Sequence, residues 1–237
     1  MTLRVLAFDV FGTVVDWRSG IARESASFLA VIGRPDIDPA GFADAWRARY
    51  QPAMAAVRDG RRPFVVLDVL YREMLEAALL ARNVDVSALD PGMLEDWTRA
   101  WHRLDPWPDA VEGLTRLKAR FPIVTLSNGN IALMLAMARH GGLPWDAIMG
   151  AEVTRAYKPA PEAYVATARI LAIAPNELCL VAAHHSDLAA ARRSSLLTAY
   201  VDRPMERGGA AAPDRDQRGE WDWSSDSLID LATQIGC

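Results

Sequence analysis

In this 237-residue sequence, several chemically reactive side chains lie either directly after a short apolar run or in a loop between two such runs. They comprise two carboxylates, two hydroxyls, an amide and an ammonium: Asp9, Asp187, Thr13, Ser127, Asn128 and Lys158. A carboxylate can act as a nucleophile, and a neighbouring ammonium offsets the cost of burying its charge. If the apolar runs are parallel strands, their carboxyl ends share the edge of the sheet where open α/β sheets bind ligands. The spacing therefore predicts one pocket that holds Asp9 and these partners.

The apolar runs have the length and composition of buried strands. The first covers residues 5–8 and is apolar on both faces, as in a central parallel strand covered by helices. Further strands are predicted at 122–127, 147–150, 178–183 and 197–201, and helices at 109–121, 131–140, 162–171, 188–194 and 227–235, with a loop at 203–220. Strands that alternate with helices form right-handed βαβ units. The sequence therefore predicts an α/β fold with a Rossmann-like three-layer α/β/α core around a parallel sheet.

The segment from residue 17 to residue 103 shows helical periodicity and no convincing strand. Its first predicted helix follows Trp17 and ends before the break at 33–35. The second begins at Pro39, with Asp38 as its N-cap. Two more helices are predicted at 64–82 and 91–101, after a loop at 57–63. We therefore expect a core domain of residues 1–16 and 104–237, with an all-helical domain of residues 17–103 inserted after the first strand.

Composition excludes several functional classes. The net charge is -4 and no long run of either sign occurs, so nothing favours binding to nucleic acid or to an anionic membrane. The two cysteines, Cys179 and Cys237, make no disulfide framework, and the reducing cytoplasm is the expected location. No apolar stretch approaches the roughly 18 residues of a membrane span. The N-terminus lacks the pattern of a signal peptide.

The reactive residues resemble the four motifs of the haloacid dehalogenase-like superfamily. Asp9-x-Phe-Gly-Thr13, Leu-Ser127-Asn128-Gly, Lys158-Pro and an apolar strand leading into Asp187 stand in the superfamily's order. They span nearly the whole chain. The helical insertion directly after the first motif is similar to the cap domain of that superfamily.

Position 11 distinguishes between subfamilies. Phosphatases of the superfamily carry a second Asp two residues after the nucleophile, where it protonates the leaving alkoxide. This sequence has Phe11, whose ring can neither give a proton nor bind Mg²⁺. An aromatic residue there resembles the 2-haloacid dehalogenases, in which it lines an apolar halide pocket. Trp46-Arg47 resembles the Trp-Arg pair of their cap, and Tyr164 looks like one of their site tyrosines.

The resemblance implies a hydrolytic dehalogenase of short 2-haloalkanoic acids, including haloacetates. Asp9 would attack the halogen-bearing carbon, expel halide and form an ester that water then hydrolyses. Lys158 would offset the burial of Asp9, Arg47 would hold the substrate carboxylate or the departing halide, and Asp187 would steer Lys158. Thr13 completes the expected catalytic set, and the expected substrate-binding residues are Phe11, Ser127, Asn128, Tyr164, His184 and Trp46. No metal or cofactor is expected, the partners are the haloacid and its halide, and the apolar helix faces allow a homodimer.

Three positions depart from the dehalogenase pattern. That pattern has a small hydroxyl residue, an Asn and a Trp where this chain has Ala182, His184 and Ser186. The part of the pocket that handles halide or water is therefore rebuilt, and His184 is a candidate to position the water or contact the halide. Two alternatives stay open from the sequence: a Mg²⁺-dependent phosphatase or phosphonatase of the same superfamily, and a non-enzymatic module that binds a partner.

Overall fold

The computed structural model describes residues 2–237 and contains a five-stranded sheet in which every neighbouring pair is parallel. The strands are β1 Val5–Phe8, β2 Ile123–Thr125, β3 Leu178–Ala182, β4 Leu197–Val201 and β5 Trp223–Ser225. Their order in the sheet is β2-β1-β3-β4-β5. β1 is therefore an inner strand, and in its register Phe8 lies opposite Thr125 on one side and Val181 on the other. The predicted α/β fold class is confirmed.

Two apolar layers cover the sheet. Leu6 and Phe8 point into one layer, which also contains Leu114 and Leu231, whereas Val5 and Ala7 point into the opposite layer with residues of the later helices. The core helices are α6 Ala110–Lys118, α7 Ile131–Gly141, α8 Ala151–Thr154, α9 Pro161–Ile170, α10 His185–Arg193 and α11 Leu228–Ile235. Because successive strand residues face opposite sides, a strand covered on both sides needs the uninterrupted apolar run seen in β1.

Residues 17–103 contain five α-helices and no strand. These helices are α1 Trp17–Val31, α2 Pro39–Ala48, α3 Tyr50–Arg58, α4 Leu67–Leu80 and α5 Pro91–Thr98, and a 3₁₀ turn at Arg99–Arg103 follows them. Large aromatic side chains fill their centre. Trp46, Trp97 and Trp101 are fully buried, and the rings of Tyr71 and Trp101 stack with their centroids 4.1 Å apart.

The structure differs from the predicted helices and strands at four places. The helix that begins at Pro39 ends at Ala48, and a separate helix, α3, begins at Tyr50 after Arg49. Helix α3 was not predicted, and its last residues lie in the predicted loop at 57–63. The helix predicted at 64–82 begins at Leu67, after extended Val66. Residues 147–150 form only isolated bridges, at Ala147 and Gly150, and not a strand. The three-residue strand β5 was not predicted, since Trp223–Ser225 is too short and too polar to show a pattern.

Among residues 2–237, no helix combines the length and apolar character that a membrane crossing requires.

A first prediction concerns Gly113, at the contact between α6 and α11. A Cβ at this position would lie 2.5 Å from Leu228 Cβ and 2.6 Å from the Leu228 carbonyl carbon. Because backbone cannot yield as a flexible side chain can, Gly113→Ala should lower the free energy of unfolding by about 1–3 kcal/mol. Urea denaturation measures the change. Glu112→Ala, at an exposed position of the same helix, should stay within about 0.5 kcal/mol of wild type. Equal stability of all three proteins would contradict the close packing.

Candidate active site

Asp9 lies immediately beyond β1, at the carboxyl edge of the sheet. Its backbone N–H donates to the Val181 carbonyl oxygen at 3.0 Å, so pairing with β3 fixes the residue beyond the end of β1. The chain then turns sharply, and Gly12 adopts φ +90°, a conformation that side chains disfavour. A Cβ at Gly12 would also lie 2.3 Å from a carboxylate oxygen of Glu206. Position 12 thus requires glycine both for its backbone angle and for the close approach of Glu206.

Both carboxylate oxygens of Asp9 are held by donors. Lys158 Nζ lies 2.9 Å from Oδ1, and Thr13 Oγ1 donates to Oδ2 at 2.8 Å. His184 Nδ1 lies 3.2 Å from the same Oδ2. Burial raises the pKa of Asp9, but Lys158 and His184 together lower it by more, so the net pKa is far below its ordinary value. Asp9 is therefore an ionised carboxylate at neutral pH, although only 7% of its surface is exposed.

Lys158 bridges Asp9 and Asp187. Its ammonium contacts Asp9 and a carboxylate oxygen of Asp187, whose other oxygen accepts from the Tyr164 hydroxyl at 2.6 Å. The Lys158 backbone N–H donates to the side-chain oxygen of Asn128 at 2.8 Å, which ties two loops together. Burial lowers the pKa of Lys158, but Asp187 and Asp9 raise it by more, so the side chain stays an ammonium. It cannot act as a base in this state.

His184 lies between two carboxylates. Its Nδ1 faces Asp9, and its Nε2 lies 3.1 Å from each carboxylate oxygen of Glu206. Trp17 Nε1 donates to Glu206 at 2.9 Å and holds it in place. Burial lowers the pKa of His184, but Glu206 and Asp9 raise it well above its ordinary value. Burial raises the pKa of Glu206, whereas His184 and Trp17 lower it, to about 2.

Arg47 is a buried cation inside an aromatic cage. Its guanidinium carbon lies 3.8 Å from the ring centre of Tyr50, 5.4 Å from Trp17, and 5.9 Å from Phe11 and from Trp101. Among residues 2–237, Nη1 is buried without a hydrogen-bond acceptor. A buried guanidinium with a donor to spare is a site for an anion, since an unmet charged donor is costly.

A cavity of about 390 Å³ connects these groups. Its walls include the predicted residues Asp9, Phe11, Arg47, Asn128, Lys158, His184 and Asp187. The cavity is large enough for a ligand of a few heavy atoms together with water, and its walls carry an ionised carboxylate and a guanidinium whose Nη1 lacks an acceptor. Such a site can bind a small anion and bring its carbon atom to a nucleophile.

Several predicted residues support the cavity instead of lining it. Trp46 was expected to bind substrate, but it is fully buried and its Nε1 donates to the Tyr71 carbonyl oxygen at 3.1 Å. Tyr164, also fully buried, holds Asp187. The Ser127 hydroxyl accepts from the Gly129 N–H at 3.1 Å, and so shapes the turn after β2. Thr13, besides its bond to Asp9, accepts from the Ala183 N–H at 2.9 Å. These four side chains lie outside the cavity lining, and their expected roles in the reaction stay predictions.

Other cavity residues were not predicted from the sequence. Tyr50, Gln51 and Arg58 come from the insertion, and Arg207, Pro213, Asp214 and Gln217 come from the far end of the chain. Ser186, one of the three positions that depart from the dehalogenase pattern, also lines the cavity. Glu206, which pairs with His184, belongs to the segment predicted to be a plain loop. Glu206 stands 197 positions after Asp9 (206 minus 9), and no periodic pattern in a sequence relates two residues so far apart. The sequence therefore carried no signal for this carboxylate.

Comparison with known proteins gives consistent matches. The model of the haloacid dehalogenase-like hydrolase family matches residues 3–194. The (S)-2-haloacid dehalogenase 4A of Burkholderia cepacia is 28% identical over 211 residues, which cover 85% of this chain and 84% of that protein. Among solved structures, a defluorinating L-2-haloacid dehalogenase is 47% identical, with a TM-score of 0.96 and coverage of 99% of this chain and 96% of that one. A second L-2-haloacid dehalogenase is 41% identical, with a TM-score of 0.91 over the full length of both chains.

The ion pairs of His184 predict how stability depends on pH. Because the folded-state pKa is raised, this contribution is complete below the unfolded pKa of about 6.5 and is lost as pH rises towards the folded pKa. The free energy of unfolding should therefore fall above about pH 6.5, by up to about 1.4 kcal/mol per pH unit. His184→Gln should remove this slope, and His140→Gln, at an exposed histidine, should keep it. Urea denaturation at several pH values measures the slopes, and a wild-type slope that persists in His184→Gln would contradict the assignment.

Proposed function

This chain belongs to the haloacid dehalogenase-like hydrolases, and within them to the 2-haloacid dehalogenases, and we propose that it hydrolyses short (S)-2-haloalkanoic acids. The products are the 2-hydroxy acid and halide, and the reaction passes through an ester on Asp9. The family resemblance found in the sequence is confirmed. The (S) preference is proposed from the names of the relatives, whereas the covalent route is proposed from the geometry around Asp9.

One observation carries the proposal. An ionised, buried carboxylate and a guanidinium that lacks an acceptor line the same small cavity. Asp9 is fixed through Lys158, Thr13 and His184, so its orientation is set before substrate enters. Arg47 supplies the charge that attracts an anionic substrate. Holding a nucleophile against its target carbon can supply roughly 7–11 kcal/mol of the activation barrier.

The first half-reaction is the displacement of halide by Asp9. An oxygen of Asp9 bonds to C2 of the substrate while the carbon–halogen bond breaks, and the electron pair leaves on the halide. Arg47 holds the departing halide or the substrate carboxylate, and the ring of Phe11 forms an apolar wall beside it. Asn128, at the cavity wall, is proposed to contact the substrate carboxylate.

The second half-reaction returns Asp9 to its carboxylate. Water attacks Cγ of the Asp9 ester, and the bond from Cγ to the bridging oxygen breaks. The oxygen retained on the product therefore comes from Asp9, and the oxygen gained by Asp9 comes from water. Since only the first step acts at C2, the configuration inverts once, and an (S)-2-haloacid gives an (R)-2-hydroxy acid.

The phosphatase and phosphonatase alternatives are not favoured. The Burkholderia cepacia relative and the two solved structures described above are named as 2-haloacid dehalogenases. At position 11 a buried phenyl ring stands where a phosphatase needs a proton donor. Lys158 fills the space between Asp9 and Asp187, the two carboxylates that would have to share a cation.

Some expectations from the sequence remain proposals. We propose that residues 17–103 act as a cap domain over a core of residues 1–16 and 104–237. We also propose a cytoplasmic enzyme that acts on free haloacid, and a homodimer formed through exposed apolar helix residues such as Ile131 and Leu135.

Isotope labelling tests the covalent route. Excess enzyme mixed with (S)-2-chloropropionate in H₂¹⁸O for a single turnover should place one ¹⁸O in the peptide that contains Asp9. The lactate formed should contain none, because its oxygen comes from the unlabelled carboxylate. Asp9→Asn should lower the rate of halide release by more than about 10⁴-fold, since it removes the nucleophile. Label found only in the product of the first turnover would instead show direct attack by water.

The role of Arg47 is tested against a neighbour. Arg47→Gln should lower kcat/KM for chloroacetate by about a hundredfold or more, because it removes a preorganised cation from the reacting anion. Arg49→Gln is the matched control: Arg49 lies at the same helix end but donates to the Ala45 and Ala77 carbonyl oxygens. It should change kcat/KM less than about threefold. Equal losses in both variants would assign the effect to the stability of the insertion.

A further inference from the structure

His184 has two acceptor groups and must therefore carry two protons in the resting protein. Its Nδ1 faces Asp9 and its Nε2 faces both oxygens of Glu206. An ionised carboxylate only accepts hydrogen bonds, and a neutral imidazole has a single N–H. A lone pair on either ring nitrogen would lie against a carboxylate oxygen, so contact with a carboxylate at both nitrogens favours the imidazolium form, in agreement with the raised pKa of His184. Resting His184 is consequently a cation and not a base.

Ester formation at Asp9 removes one of the two anions beside His184. The esterified side chain is neutral, whereas Glu206 remains charged on the other side of the ring. The imidazolium then loses half of its stabilisation, and the Nδ1–H loses its charged acceptor. Glu206 continues to hold Nε2–H, so the proton released is the one on Nδ1. What remains is a neutral imidazole with its Nδ1 lone pair directed at the carboxyl group of Asp9.

We infer that His184 is the general base for hydrolysis of the Asp9 ester, that Glu206 is its positioning residue, and that alkylation of Asp9 switches His184 into its basic form. The inference rests on the proposed function, since it requires an ester at Asp9. It assigns to His184 and Glu206 the proton transfer of the second half-reaction, whereas in the first His184 only helps to hold Asp9.

The protons and charges balance in both half-reactions. In the first, the Asp9 carboxylate and the haloacid give ester and halide, and the imidazolium of His184 then releases one proton to solvent. In the second, Nδ1 takes a proton from the attacking water. The tetrahedral oxyanion collapses, the bond from Cγ to the bridging oxygen breaks, and the alkoxide takes the second proton of the water. The products are the hydroxy acid, the Asp9 carboxylate and the imidazolium, which is the resting state again.

Other groups near Asp9 are already committed to other bonds. Lys158 is an ammonium between two carboxylates, and the Thr13 hydroxyl donates to Asp9. Asp187 uses one oxygen for Lys158 and the other for the Tyr164 hydroxyl. His184, with 19% of its side chain exposed, also lines the cavity that water would enter. Among these neighbours, it is the one whose proton-accepting nitrogen is set free by the first half-reaction.

Glu206 sets the tautomer and basicity of His184. Both of its oxygens lie 3.1 Å from Nε2, and Trp17 Nε1 fixes one of them at 2.9 Å. Further charges act on this pair. Lys158 lies on the far side of Asp9, Arg207 contributes to the lowered pKa of Glu206, and Glu206 contributes to the raised pKa of Arg47. Burial lowers the pKa of His185, the next residue in the chain. Because the Glu206 carboxylate favours the protonated imidazole, its removal should make His184 a weaker base that titrates at lower pH.

The first test is rapid mixing of His184→Gln with (S)-2-chloropropionate. We expect a burst of one equivalent of chloride, followed by accumulation of protein whose mass gain lies in the Asp9 peptide. Hydrolysis of this ester should be slower than in wild type by about a hundredfold or more, the usual contribution of a general base. His185→Gln is the matched control, because His185 stacks on Tyr200 and Trp221 outside the cavity. It should show wild-type rates for both steps.

The outcomes separate the inference from the proposed function. If wild-type protein releases no chloride and gains no mass, the proposed function fails. If chloride is released but His184→Gln hydrolyses its ester as fast as wild type, the proposed function stands and the inference is overturned.

Two further measurements do not depend on the folding of His184→Gln. In wild-type protein, a pH indicator should record one proton released in step with the chloride burst, and none during ester hydrolysis; release during hydrolysis would overturn the inference. In Glu206→Gln, the pH at which ester hydrolysis reaches half its maximal rate should be lower than in wild type, whereas the chloride burst should persist. An unchanged midpoint would overturn the role of Glu206.

Discussion

The burial of the Asp9 charge is the constraint on which the site depends. A carboxylate at the end of an inner strand is costly unless cations and hydrogen bonds compensate it. Lys158 and His184 provide the cations, and they in turn require Asp187 and Glu206. Three carboxylates therefore alternate with two cations, which leaves one negative charge in excess. Arg47 in its aromatic cage balances that charge from across the cavity without pairing with any of the three.

This network links the insertion to the core. Trp17, the first residue of α1, donates to Glu206 near the other end of the chain. Asp68 of α4 accepts from the Asn130 amide, and Arg58 of α3 reaches the backbone oxygen of Lys158. The Tyr157 hydroxyl, one residue before Lys158, donates to the Val65 carbonyl oxygen. The insertion that carries Arg47 therefore also holds the loop that carries Lys158.

The sequence predicted the part of the site that follows a periodic pattern. Asp9 and Lys158 could be placed because apolar runs and loops mark the carboxyl edge of a parallel sheet, and Asp187 could be placed because it follows the apolar run of β3. The sequence could not show which of Trp46 and Arg47 lines the cavity, because helical spacing does not tell which of two adjacent residues faces the core. The structure buries Trp46 and places Arg47 at the cavity wall. Glu206 and Asp214 escaped prediction because they lie in a segment with no periodicity. Their positions depend on tertiary contacts, such as the bonds from Ser186 to Asp214.

The separation of the two half-reactions between different residues has a practical consequence. Lys158 and Thr13 hold Asp9 independently of the His184–Glu206 pair, which on the proposed scheme releases the bound carbon chain. On the proposed scheme, a form of this protein without that pair would still react once with a haloacid and then keep it. Such a form would be a self-labelling protein, able to carry a reporter group attached to a small halogenated compound. The label would stay attached because the protein would lack the base that hydrolyses the ester.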